Sequence, residues 1–138
     1  MLEIGSGSGW FAAVMARLVG PKSQVTGIEL IPDLATQSRA NLAALGIGNV
    51  EVITGDGTRG HAAGAPCNSA VITAATWDVP AALLDQVAAR GLGVVPVELR
   101  GGNACTGHPA SRTWTAPRRR AKPCARGPPA AARAGRPR

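Results

Sequence analysis

The sequence predicts an α/β protein built on a doubly wound, mostly parallel sheet. Three observations carry that expectation. Short β-branched runs alternate with segments of helical period. The first strand-like run passes at once into three alternating glycines, Gly5, Gly7 and Gly9. Three acids, Glu3, Glu29 and Asp56, stand at or near the C-terminal ends of successive strand-like runs, which is where open α/β sheets bind their ligands.

Each element follows from its own residues. Residues 1–4 (MLEI) read as the first strand. Because the chain opens inside that strand, we expect a chain truncated at its N-terminus. Residues 10–18 place Phe11, Val14, Met15 and Leu18 on one helical face, and Gly20 with Pro21 stops the helix. Residues 24–30 (QVTGIEL) form a second strand ending in an acid. Pro32 and Asp33 suit a first helical turn; Leu34, Leu42 and Leu45 share a face, and Gly46 ends it. Residues 49–54 alternate as a third strand and run into Gly55, Asp56 and Gly57. Residues 58–66 are polar and glycine-rich and read as loop. Residues 70–74 predict a fourth strand, 80–89 a helix presenting Leu83, Leu84 and Val87, and 92–97 a fifth strand.

Composition divides the chain. Of the 138 residues, 1–105 carry six Lys/Arg against eight Asp/Glu, a net −2, whereas 106–138 carry nine Lys/Arg and no acid. That second part is rich in Arg, Pro, Ala and Gly, has only Trp114 as a large apolar residue, and shows no periodicity. It buries too little to offset chain entropy, so we expect a disordered tail at 106–138 and a domain at 1–105. An anion-binding arm on Arg118, Arg119, Arg120 and Lys122 is one reading of it. A G/C-rich gene read in a shifted frame is the other, and the one we favour, because the break falls where a further strand would complete the sheet. The sheet is accordingly expected to be incomplete at one edge.

Cys67, Cys105 and Cys124 are odd in number and form no CxxC pair, so neither a zinc site nor a disulfide framework is indicated. We expect a monomer in the cytoplasm, with no nucleic-acid or membrane partner and no metal.

The glycine turn carries the chemistry. Missing β-carbons permit left-handed angles and let a ligand approach the main chain. Where a dinucleotide fingerprint has its third glycine the chain has Trp10, and no Lys-Ser/Thr follows, so a nucleotide-like ligand without a phosphate chain is what remains. Glu29 has two acceptor oxygens suited to a pair of ribose hydroxyls, or is a solvated strand-end acid. Asp56 accepts from an adenine amino group, or caps its own turn. Glu3 pairs with a ligand ammonium, or with backbone donors of the glycine loop. Cys67 reads as an apolar filler.

The segments LEIGSGSG, TGIEL, NVEVITGDGTRG, VITAATWDVPAALLDQV and VVPVELRGG resemble, in order and spacing, the protein-L-isoaspartate O-methyltransferases. The resemblance spans 1–105 and implies a Rossmann-like class I methyltransferase core with S-adenosylmethionine as cofactor. It implies cofactor contacts at Glu3, Gly5, Ser6, Gly7, Gly9, Glu29, Leu30, Asp56 and Gly57. It further implies that Thr73 to Trp77 lie beside the methyl-transfer point, with Thr76 and Trp77 as substrate-side residues, and that isoaspartyl-containing proteins or peptides are the methyl acceptors. Departures from the family pattern are Cys67-Asn68 before the fourth strand and Arg90-Gly91-Leu92 before the fifth. Methylation of another peptide or a natural-product precursor, and a catalytically silent cofactor-binding fragment, are the alternatives.

Overall fold

The computed structural model describes residues 1–76, 79–99 and 102–109. Trp77 and the tail from 110 onward, with its basic cluster, lie outside the described residues. Among the described residues six strands form one sheet: β1 (Leu2–Ile4), β2 (Val25–Glu29), β3 (Val50–Thr54), β4 (Cys67–Ile72), β5 (Val87–Leu99) and β6 (Gly102–Pro109). Their spatial order is β3-β2-β1-β4-β5-β6. The first five run parallel, and β6 returns antiparallel along β5. The edge beyond β5, expected to be open, is therefore lined by β6, which includes Thr106 to Pro109 of the segment expected to be tail. Strand order reverses between β1 and β4, so the chain leaves β1 in one direction and returns on its other side.

The α-helices among the described residues are α1 (Trp10–Val19), α2 (Pro32–Ala44) and α3 (Ala81–Leu84). Pro32 stands in the first turn of α2, where a missing N–H costs nothing. Both long helices share a buried residue with the expected face, Met15 in α1 and Leu42 in α2, and complete the buried face with small side chains. In α1 the buried residues are Ala12, Ala13, Met15 and Ala16, while Leu18 is 80% exposed. In α2 they are Ala35, Ser38 and Leu42, with Leu45 outside. Small side chains let a helix lie close against a sheet, and a face of alanines is invisible to a search for large apolar residues.

The helix expected over 80–89 ends at Leu84, and Val87 to Ala89 belong to β5. One helical turn has little stability of its own, whereas Val87 pairs with Cys67 in the parallel ladder. The fourth strand likewise begins earlier than expected, at Cys67, and stops at Ile72. Burial pushes the Cys67 thiol up, which keeps it protonated at neutral pH.

The sheet is covered on both faces. On one, Leu2, Ile4, Ile28, Ala70 and Ile72 pack with Val79, Leu83 and Val95. On the other, Val25 and Val71 pack under Ala12, Met15 and Ala16 of α1, and Val52 packs under Ala35 and Leu42 of α2. The Asn49 amide ties α1 to the sheet, donating to the carbonyls of Ala16, Gly20 and Ser23. No helix among the described residues is long and apolar enough to cross a membrane.

Candidate functional site

At the C-terminal ends of β1, β2, β3 and β4 the chain leaves a cavity of about 420 Å³. That lies within the size range of small-molecule sites. Ile4, Ile28 and Ile72 form an apolar floor, and Glu29, Asp56 and Thr76 bring polar groups to the wall.

The glycine turn adopts the angles its sequence demands. Gly5, Gly7 and Gly9 have φ of 92°, 53° and 82°. At Gly5 a β-carbon would come within 2.9 Å of Ala74 Cβ, and at Gly9 it would collide with Ser38 Oγ. The turn is fastened from several directions. The Gly5 and Ser6 N–H groups donate to the Ile28 carbonyl. Thr73 Oγ1 donates to the carbonyls of Gly5 (2.7 Å) and Ile4 (3.0 Å), and the Asn41 amide donates to the carbonyl of Ser8 at 2.9 Å.

Glu29 closes β2 and is buried. Its Oε2 accepts the Gly7 N–H at 2.7 Å and its Oε1 accepts the Ile31 N–H at 3.0 Å. A carboxylate offers about four lone-pair sites, so each oxygen retains capacity for another donor. The carboxylate is thus held in place and still able to bind.

Asp56 is fully exposed and lies just past β3. Its Oδ1 accepts both the N–H (2.9 Å) and the hydroxyl (2.8 Å) of Thr58, starting a short 3-10 turn at Gly57–Arg59. Those two bonds, the backbone one foremost, hold its carboxyl below the usual aspartate value. Oδ2 has no hydrogen bond among the described residues. Turn capping and ligand binding therefore use different oxygens, and the two readings of this residue are compatible. Gly57 packs over Ile4, with which a β-carbon there would collide.

Glu3 has a different surrounding from the one its place in the motif suggests. Leu2 and Ile4 face the α3 side of the sheet, so by strand alternation Glu3 faces α1. It is 0% exposed, and neither carboxylate oxygen has a hydrogen-bond partner. Burial foremost raises its pKa from 4.5 to about 7, and the Glu29 charge pushes the same way. Ser6 is buried beside it with its own Oγ unpartnered. Gly27 makes the room, since a β-carbon there would collide with Ser6 Oγ and come within 3.6 Å of Glu3 Oε2.

Of the residues marked out in the sequence, Gly5, Glu29, Leu30, Asp56, Gly57 and Thr76 line the cavity. Glu3, Ser6, Gly7 and Gly9 lie behind or along the loop that supports it, and Trp77 is outside the described residues. Ile4, Ile28, Ile72 and Pro80 also line the cavity and Asn41 fastens its loop, none of them marked out in the sequence, whereas Thr73, which also fastens the loop, opens the 73–77 stretch that the resemblance sets beside the methyl-transfer point. Thr73 follows a strand end, a place where polar residues invite attention. Asn41 lies mid-helix and gives no local signal.

The sequence profile of the protein-L-isoaspartate(D-aspartate) O-methyltransferase (PCMT) family matches residues 1–106. The chain belongs to this family. A protein-L-isoaspartate O-methyltransferase from Ignicoccus hospitalis is 51% identical over 98 residues, covering 71% of this chain and 46% of that protein. One from Methanoregula boonei is 49% identical over 104 residues, covering 75% and 45%. The chain thus spans about half the length of the curated relatives it matches. A solved protein-L-isoaspartate O-methyltransferase superposes with a TM-score of 0.76 at 31% identity, over 80% of this chain and 36% of that one. A methyltransferase from Thiobacillus denitrificans, solved with S-adenosyl-L-homocysteine, gives a TM-score of 0.58 at 27% identity, over 68% and 40%.

Among the described residues no group of three or more His, Cys, Asp or Glu side chains is placed to hold a metal ion. What the site does hold together is an apolar floor, a fixed carboxylate at one strand end and a second carboxylate on the turn after the next.

Proposed function

We propose that the cavity binds S-adenosylmethionine and that the chain belongs to an enzyme methylating the carboxylate of isoaspartyl residues in proteins or peptides. The observation that carries this reading is Glu29, buried at the end of β2 with one N–H on each oxygen and lone pairs to spare. The residues fit the cofactor on three counts. Glu29 suits a pair of ribose hydroxyls, the Ile4, Ile28 and Ile72 surface suits a flat ring, and Asp56 Oδ2 is an acceptor for an amino group. The family membership and the relatives' names support the same reading.

Bound there, the cofactor supplies a methyl group on a sulfonium, transferred to an acceptor oxygen as the S–C electron pair returns to sulfur, with no proton moved. The acceptor carboxylate, with an ordinary pKa of about 4, is already ionised at neutral pH, so no side chain has to act as a general base. This chain's residues instead orient and desolvate. Glu29 and Asp56 fix the ribose and adenine of the ligand, the Gly5 turn leaves room for close approach, and Thr76 with Pro80 borders the opening where an acceptor enters. We take residence in the cytoplasm and a monomeric state as part of the same proposal.

The test is transfer of labelled methyl from S-adenosylmethionine by the full chain to an isoaspartyl peptide and to its aspartyl counterpart. A base-labile methyl ester on the isoaspartyl peptide alone is expected. Equal labelling of both peptides, or none with cofactor binding intact, would rule out the substrate assignment.

A further inference from the structure

The turn that carries Asp56 is exposed, yet it is held from outside by one side chain. Gln86, half-buried between α3 and β5, accepts the His61 N–H on Oε1 at 2.6 Å. Its Nε2 donates to the Arg59 carbonyl at 2.9 Å. One amide thus satisfies a donor and an acceptor on either side of Gly60, as a neighbouring strand would. Gly60 has a φ of 63° and lies against that amide, with which a β-carbon would collide. The turn is closed by the Gly60 N–H donating to the Gly57 carbonyl at 3.0 Å. Thr58 fixes the Asp56 end of the turn, and Gln86 fixes the other end.

The main chain of Gln86 is also committed. Its carbonyl accepts the Cys67 N–H at 2.8 Å, at the start of β4, and its N–H donates to the Leu83 carbonyl at 3.2 Å, at the end of α3. The side chain is thereby anchored to sheet and helix, and it relays that anchorage to the turn.

We propose that Gln86 is a positioning residue for the Asp56–Gly57 side of the cavity, setting affinity for the adenine end of the ligand through the backbone of Arg59 and His61. This rests on the reading of the cavity as an S-adenosylmethionine site. The Gln86 amide supplies the acceptor and the donor on two different atoms, one for each partner. Methionine of similar length supplies neither, and glutamate keeps the acceptor for His61 while setting an oxygen against the Arg59 carbonyl.

The experiment measures S-adenosylhomocysteine and adenosine binding to the full chain by calorimetry, and amide hydrogen exchange, for wild type, Gln86→Met and Gln86→Glu. In Gln86→Met, Kd rises about tenfold for both ligands, a factor worth about 1.4 kcal/mol. Exchange at His61 accelerates, and exchange at Ile28 and Val52 is unchanged. Gln86→Glu keeps His61 protected and binds with intermediate affinity. Unchanged affinity in Gln86→Met overturns the proposal, as does loss of protection throughout the sheet in both variants, which would make Gln86 a general fold residue. Failure of wild type to bind either ligand would instead overturn the cofactor reading, and exchange at His61 would still report whether Gln86 holds the turn.

Discussion

The two acids that line the cavity are held in different ways. Glu29 is buried at a strand end, with both oxygens bound to the backbone of the loops on either side. Asp56 is fully exposed on a turn fixed by Thr58 at one end and Gln86 at the other. One wall of the site is part of the core, and the other is attached to it. Damage to the Glu29 wall is therefore expected to reach the fold, whereas damage to the Asp56 wall stays with the ligand.

The largest effect expected from this contrast is at Gly5. Gly5→Ala places a side chain at a φ of 92° and 2.9 Å from Ala74 Cβ. A left-handed angle costs about 1–2 kcal/mol and overpacking about 1–3 more, so denaturant unfolding should show a loss of about 3 kcal/mol. At Gly7 a β-carbon meets nothing within 4 Å, so Gly7→Ala should show only the backbone cost of about 1–2 kcal/mol. Equal losses at both would mean that packing against Ala74 is unimportant.

Behind the same wall, Glu3 makes stability depend on pH. Its pKa rises from 4.5 to about 7 on folding, so between those values the folded chain retains a proton that the unfolded chain has released. Stability from this group is complete below pH 4.5, falls as pH rises, and levels off above about 7. The full span amounts to roughly 3 kcal/mol. Glu3→Gln removes the titration, so the wild-type-minus-variant difference in unfolding free energy should decline across that window. A flat difference would contradict the buried, unpartnered state of Glu3.

How far the sequence reveals these features depends on how local each one is. The glycine turn, the strand-end acid Glu29 and the turn at Gly55 to Gly57 are written in consecutive residues, and period-2 alternation and Pro32 place the strands and α2. Met15 and Leu42 announce the buried helix faces, but Ala12 and Ala16 in α1 and Ala35 in α2 fill the rest of them without any large apolar signal. α3 ends before its expected limit because pairing of Val87 with Cys67 outweighs the local preference for helix at 87–89. The side of the sheet that Glu3 faces was in principle legible, since Leu2 and Ile4 flank it with apolar side chains. Asn41 and Gln86 were not, because their partners lie 33 and 25 to 27 residues away. No local pattern announces a side chain whose role is to hold a distant backbone.

The contrast between the two acids is tested most directly by calorimetric titration of the full chain with S-adenosylhomocysteine, comparing wild type with Glu29→Gln and Asp56→Asn. In Glu29→Gln an amide N–H₂ meets a backbone N–H that previously had an acceptor. Affinity should fall by roughly 10- to 100-fold, as for a lost hydrogen bond to a charged group, and unfolding free energy should fall with it. In Asp56→Asn, affinity should fall less than about tenfold, with stability unchanged to within about 0.5 kcal/mol. Wild-type affinity in Glu29→Gln would contradict the assignment of this strand-end carboxylate as the anchor of the site.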